Sequence, residues 1–284
     1  MALRIIMFGT GDFAVPTFRA LYDSPHEVVA LYTQPDRPTV GRHKPHQPMK
    51  DLAIERGTPV YQPEKINTPE SLEELQALQG DLFLVAAYGQ ILSRKFLAIP
   101  PRGTINVHAS LLPKYRGAAP INYAILHGER EAGVTIIDVI PQLDAGPMLG
   151  KVSLPILPGE TAGELELRLA EAGANLTLEV IDQIEKGTVL REPQDESQVV
   201  FAPKMTKDMG LIDWNKTASE IEWHVRGMQP WPNPVSFLHQ PGKPGRRFVI
   251  RKVEIQDRNQ TSPPGSVTEV NRDSVVVQTG SGSI

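Results

Sequence analysis

The chain has 284 residues, 40% of them hydrophobic and 22% charged, and it contains no cysteine. That length predicts two domains, each large enough to bury a core; the lack of cysteine excludes disulfides, thiolate catalysis and a Cys-based zinc site, and no apolar run reaches the roughly 18 residues of a membrane span. The net charge of −4 hides an asymmetry, 18 basic against 25 acidic residues up to residue 203 and 11 against 8 after it, which suits a polyanion held by the second half, although so small a surplus is also ordinary surface variation.

The opening MALRIIMFGTG enters a strand-like run at once, with no basic segment ahead of a cleavable apolar one, so an uncleaved, cytoplasmic protein is expected. Apolar runs at 4–10, 27–34, 82–89 and 104–110 alternate with amphipathic stretches at 13–22, 48–56 and 69–78. That rhythm predicts an α/β domain with a Rossmann-like, mainly parallel sheet. Two further strands are expected at 133–140 and 148–156. A helix should then run to Lys186, opened by a capping box of Thr161 and Glu164 and stopped by Gly187. Residues 188–207 are polar and interrupted by proline, as in an ordered linker. Beyond 208 a short helix at 218–228 leads into strands at 235–238, 247–255, 265–270 and 274–279, the texture of a small OB-like β-barrel.

Gly9-Thr10-Gly11-Asp12-Phe13-Ala14 satisfies G-x-G-x-x-A, a dinucleotide signature when an acidic residue ends the second strand. Here that strand ends Tyr32-Thr33-Gln34-Pro35, with Asp36 beyond the proline, so the segment reads as a strand-to-helix turn. Next comes a loop carrying Arg37, Arg42, Lys44 and Lys50 with His43 and His46 against one acid. By composition it is a solvated surface loop, though one able to order on a phosphate backbone.

Most informative is Asn106-Val107-His108-Ala109-Ser110-Leu111-Leu112-Pro113-Lys114-Tyr115-Arg116-Gly117, continuing as AAPIN to Asn122, with Asp144 in LDAGP 36 residues after His108. Residues two apart share a face of a strand, so Asn106 and His108 point the same way at a strand's carboxyl end, where open α/β sheets bind ligands. By spacing alone, two turn residues and an interior histidine are the better account. The seventeen-residue stretch reverses it, because it resembles the formyltransferase superfamily built on tetrahydrofolate, and the resemblance runs over essentially the whole chain.

The resemblance implies a formyl donor, 10-formyltetrahydrofolate, with Ser110, Leu111, Leu112 and Pro113 along its site and Arg116-Gly117 beside it. Attack of an amine on a formyl carbon builds an oxyanion. Asn106 and an imidazole N–H of His108 can meet that oxygen, while Asp144 fixes the imidazole tautomer and helps move the amine proton. Ala202-Pro203-Lys204-Met205-Thr206-Lys207, Ile212-Asp213-Trp214 and Gln229-Pro230-Trp231-Pro232 resemble the methionyl-tRNA branch of the superfamily, as does the loop opening QPDRP. That branch implies initiator methionyl-tRNA as partner, with Arg37, Arg42, Lys44, Lys204 and Lys207 as phosphate contacts; Trp214 and Trp231 are expected to pack between domains, the alternative being to stack on bases. The organisation read this way is a catalytic domain over 1–187, a linker over 188–207 and a tRNA-binding OB-like domain over 208–284. The family usually continues with a final strand and helix, so a shortened barrel is expected. Gly146-Pro147 stands where Gly-Asp is usual, and Gln229 where Asn is usual. The seven histidines show no HExxH-like spacing, so no metal is expected. A monomer without membrane contact is expected. A sugar-nucleotide formyltransferase is the alternative within the superfamily, and a nucleic-acid-binding module without catalysis the alternative outside it.

Overall fold

The computed structural model describes residues 2–36, 47–256 and 262–284. Among these residues no helix is long and apolar enough to cross a membrane. Chain contacts divide the protein into two compact units.

The first unit comprises residues 1–117, 133–154 and 166–201. It is built on β1 (Arg4–Gly9), α1 (Val15–Tyr22), β2 (Glu27–Tyr32), α2 (Pro48–Glu55), β3 (Val60–Tyr61), α3 (Pro69–Ala77), β4 (Leu82–Ala86), α4 (Arg94–Leu97) and β5 (Thr104–His108). A two-residue strand β6 (Arg116–Gly117) follows. After α5 (Pro120–Leu126) come β7 (Glu131–Asp138), β8 (Met148–Pro155) and the long helix α6 (Ala162–Lys186). Seven strands form one sheet in the order β3-β2-β1-β4-β5-β7-β8. The pairs from β3 to β5 are parallel, and β7 runs antiparallel to β5, so the sheet is mixed and mainly parallel.

The strands read almost without interruption as apolar because they are buried on both faces. Ile6, Phe8, Tyr32, Phe83 and Val85 pack with Leu75 of α3 and Phe96 of α4. Phe8 anchors this cluster, stacking on Tyr32 at 5.1 Å and meeting Phe96 edge-on at 5.0 Å. On β5 the alternation of the strand separates two functions. Val107 faces α6, whose Gly173 approaches so closely that a Cβ there would lie 3.3 Å from it, so Asn106 and His108 face the other side. The capping box at the start of α6 forms as expected, with Thr161 N–H bonding Glu164 Oε2 at 2.8 Å.

The second unit comprises residues 118–132, 155–165 and 202–284. It contains α5, part of the short strand β9 (Phe201–Ala202), α7 (Ala218–Gly227), and β10 (Val235–Leu238), β11 (Arg246–Val249), β12 (Val267–Val270) and β13 (Val275–Val277). Helices α5 and α7 pack together, joined by Asn122 Nδ2 on the Gly227 carbonyl at 2.7 Å. The strands pair as two antiparallel ribbons, β10–β11 and β12–β13. Trp214 packs in this unit's own core against Ile212, Ile221 and Val225, its indole N–H on Ser236 Oγ at 2.9 Å. It therefore serves this core, in place of the expected packing between domains, because Ser236 satisfies its one polar atom there. Trp231 is half exposed.

The stretch read as a linker is divided by these contacts. Residues up to 201 cluster with the first unit and those from 202 with the second.

Candidate active site

β5 ends at His108, whose ring nitrogen Nε2 is hydrogen-bonded within the protein. Nε2 lies 2.9 Å from the Tyr115 carbonyl oxygen. A carbonyl only accepts, so Nε2 carries the proton and Nδ1 is the nitrogen free to gain or lose one. Asp144 Oδ2 lies 3.6 Å from Nδ1, with the His108 side chain only 6% exposed. The same oxygen accepts the Gly117 N–H at 2.9 Å, which aims the carboxylate. Asn106, half-buried two residues before His108, takes part in none of the side-chain hydrogen bonds found among the described residues. Its two amide protons are thus available to a ligand. The structure therefore brings His108 and Asp144 together and places Asn106 on the same strand face.

The segment after β5 is a braced loop. Buried Thr135 of β7 accepts the Leu112 N–H at 3.1 Å and donates to the Ser110 carbonyl at 2.7 Å. Ser110 Oγ turns inward onto the Lys114 carbonyl at 2.6 Å, and Lys151 Nζ caps the Leu112 carbonyl at 2.9 Å. Leu112 is buried, while Leu111 and Pro113 are partly exposed.

Asp144 itself has left-handed backbone, φ 47°, a conformation that Asp tolerates better than most residues. Two residues on, a Cβ at Gly146 would sit 1.7 Å from the Asp138 carbonyl oxygen, so the loop closes only around glycine there. Beside it runs the segment joined through the backbone pair Met148 and Glu192. From this segment Gln194 donates to the carbonyls of Asp144 and Gly146 at 2.7 and 2.8 Å. Its Oε1 accepts from Nε and Nη2 of Arg116 at 3.0 and 2.8 Å, and Arg116 also pairs with Glu196 at 2.7 Å. Arg116 holds the Glu196 carboxyl below its usual range. Sequence reasoning missed Tyr115, Thr135 and Gln194. Thr135 and Gln194 act on backbone atoms remote in sequence and Tyr115 acts through its own carbonyl on the His108 ring, relations that residue type and spacing do not announce.

Around the basic loop, Arg37, Arg42 and Lys44 lie outside the described residues. At its base Asp36 is taken up by Lys50, Gln62 and Gln47, in that order the causes that lower its carboxyl to about 2. Lys204 and Lys207 are exposed in the second unit. A cavity of about 520 Å³ is lined by Gln34, Glu64, Lys65, Asn67, Thr68, Gly89, Gln90 and Ile91. None of Asn106, His108 and Asp144 lines it. Among the described residues no group of three or more His, Asp or Glu side chains is arranged to hold a metal ion.

Residues 3–181 match the family described as formyl transferase, and residues 204–284 its C-terminal domain. The chain is 45% identical over 281 residues to a methionyl-tRNA formyltransferase of Desulfotalea psychrophila, covering 98% of this chain and 85% of that one. It is 44% identical over 283 residues to the one of Trichlorobacter lovleyi, covering 99% and 87%. Among solved structures it shares its fold with an N-formyltransferase of Helicobacter canadensis crystallised with folinic acid and dTDP-3-aminofucose. The TM-score is 0.71 at 19% identity, over 99% of this chain and 97% of that one.

Proposed function

We propose, from the premise that the chain belongs to the methionyl-tRNA formyltransferase family, that it moves a formyl group from 10-formyltetrahydrofolate to the α-amine of methionine on the initiator tRNA. One observation carries this reading: identity of 45% to such an enzyme over 98% of the chain.

The residues at the end of β5 fit a folate formyl donor, since the Asn106 amide has two protons to give and the braced loop of Ser110, Leu111, Leu112 and Pro113 offers a firm, partly apolar edge beside it. The co-substrate supplies an activated formyl carbon on a folate nitrogen. Asn106 donates to the formyl oxygen as attack by the amine places negative charge there. His108, its Nε2 proton tied to Tyr115, works through Nδ1, and Asp144 Oδ2 stands ready to exchange a proton with it. When protonated, Nδ1 is a second donor toward the oxyanion. Together the pair takes the proton that the amine loses and returns it to the folate nitrogen as the old carbon–nitrogen bond breaks. No metal enters these steps.

In this reading residues 1–187 form the catalytic domain, 188–207 the linker and 208–284 an OB-like barrel. Lys204 and Lys207, with Arg37, Arg42 and Lys44, meet tRNA phosphates. The substrates place the enzyme in the cytoplasm, and no step requires a second copy of the chain. The test is formyl transfer from 10-formyltetrahydrofolate to charged initiator tRNA, run beside an amino-sugar nucleotide as acceptor. Transfer to the tRNA is expected; transfer to the sugar alone would overturn the assignment.

A further inference from the structure

We propose that Gln194 is a positioning residue that sets the reactive carboxylate of Asp144 against His108, an inference that rests on the reading of Asn106, His108 and Asp144 as the reacting site. A primary amide has two donors and two acceptor lone pairs, and all four are used here. The two Nε2 protons go to the Asp144 and Gly146 carbonyls, and Oε1 accepts twice from Arg116. The side chain thus ties a buried guanidinium to both ends of a three-residue turn. That turn needs holding, because Asp144 is left-handed and Gly146 lies tight against Asp138. Among the described residues the carboxylate itself is held by a hydrogen bond from the Gly117 N–H to Oδ2, and Gly117 follows Arg116 directly. Gln194 and Arg116 therefore join the two pieces of chain whose relative placement sets the distance from Nδ1 to Oδ2.

No other side chain reproduces the clamp. Glutamate keeps the acceptors for Arg116 but turns negative oxygens on two carbonyls; asparagine is one methylene short; lysine has no acceptor. Displacing a proton-transfer group by about 1 Å costs on the order of a hundredfold in turnover. The full-length chain carrying Gln194→Glu should therefore show kcat for formylation of charged initiator tRNA reduced about 10- to 100-fold, with KM for 10-formyltetrahydrofolate and for tRNA changed less than about twofold, since the clamp touches neither substrate. The acid and base limbs of its kcat profile should also move, as they report the groups that exchange the proton. Gln194→Ala, which deletes the clamp without adding charge, should behave alike and serves where the glutamate variant fails to fold.

A double-mutant cycle separates positioning from general loosening. Added to Asp144→Asn, Gln194→Glu should cost little more, because the group it positions is already disabled. Additive losses, a raised KM with kcat kept, or kcat within twofold of the parent in both Gln194 variants would overturn the inference while leaving the site intact. Parent-like turnover in Asp144→Asn alone would overturn the site reading, and the inference with it.

Discussion

Asn106 and His108 share one face of β5, yet removing them should have different consequences. The Asn106 amide makes none of the side-chain hydrogen bonds found among the described residues, whereas His108 is buried and holds the Tyr115 carbonyl at 2.9 Å. Asn106→Ala is expected to lower single-turnover formyl transfer about a hundredfold, the worth of roughly 3 kcal/mol for one oxyanion donor, with Tm unchanged. His108→Ala should lower the rate at least as far and also destabilise the protein by about 1–3 kcal/mol, because it removes a buried hydrogen bond to the Tyr115 carbonyl. Rapid-quench rates with thermal melts on the same preparations check both, and near-normal chemistry in either variant would remove that residue from the site. The three proposed site residues were legible because the stretch from Asn106 to Asn122, with Asp144 beyond it, resembles a known family; their types and spacing alone favoured a structural role. The tautomer was not legible. It is set by the carbonyl of Tyr115, any residue has a carbonyl, and only the fold brings this one to Nε2.

Long elements were readable and short ones were not. Strands β1, β2, β4 and β5 and helices α3, α6 and α7 lie where apolar periodicity and caps predicted them, since each buries a face long enough to show its period. The two-residue β3, the single turn of α4 and the seven-residue α5 carry too few residues for a period, and α5 lay hidden inside a motif read for its chemistry. β11 ends at Val249, well short of the expected 255, and its residues are all exposed. Elements also define where stability should respond. Thr135 on β7 bridges Ser110 and Leu112 with its hydroxyl, so Thr135→Val, which keeps the shape, should cost about 1–3 kcal/mol in urea unfolding and raise KM for the folate, and Thr135→Ser should restore both. On α7, burial lowers the pKa of His224 below the ordinary value of about 6.5, and the Nε2–H bond to the Gly210 carbonyl partly opposes this. The unfolded chain then binds the proton more readily than the folded one. The contribution is fully present above about pH 6.5 and is lost as pH falls below it. Tm should therefore drop between pH 7.5 and 5.5, and less so in His224→Gln; burial of His26 acts in the same direction. Equal slopes in parent and variant would refute the role given to His224.

At the scale of the whole molecule, the proposed function asks the chain to hold a polyanion, and its charge is unevenly distributed along the sequence. The acidic surplus lies before residue 203 and the basic surplus after it, with Lys204 and Lys207 exposed just past that point. Within the acidic part the loop between β2 and α2 is the exception, with Arg37, Arg42 and Lys44 against no acid after Asp36, which is itself bound to Lys50. If that charge meets tRNA, it does so through phosphates, and each contact releases counterions, giving about 0.7–0.9 of log–log salt slope. Replacing Arg42 and Lys44 together by alanine is thus expected to weaken binding of charged initiator tRNA at low salt and to flatten its salt dependence by roughly one to two units. The folate site should be untouched, so KM for 10-formyltetrahydrofolate stays at the parent value. Lys204→Ala with Lys207→Ala provides the comparison, since the same charge is removed from the second unit: a similar change in slope would mark both as phosphate contacts, and a change in only one pair would locate the recognition surface. Binding isotherms from 50 to 400 mM KCl, roughly the range over which such contacts lose their strength, with formylation rates on the same samples, decide it. An unchanged slope and unchanged tRNA formylation in the Arg42 and Lys44 variant would exclude this loop from tRNA recognition.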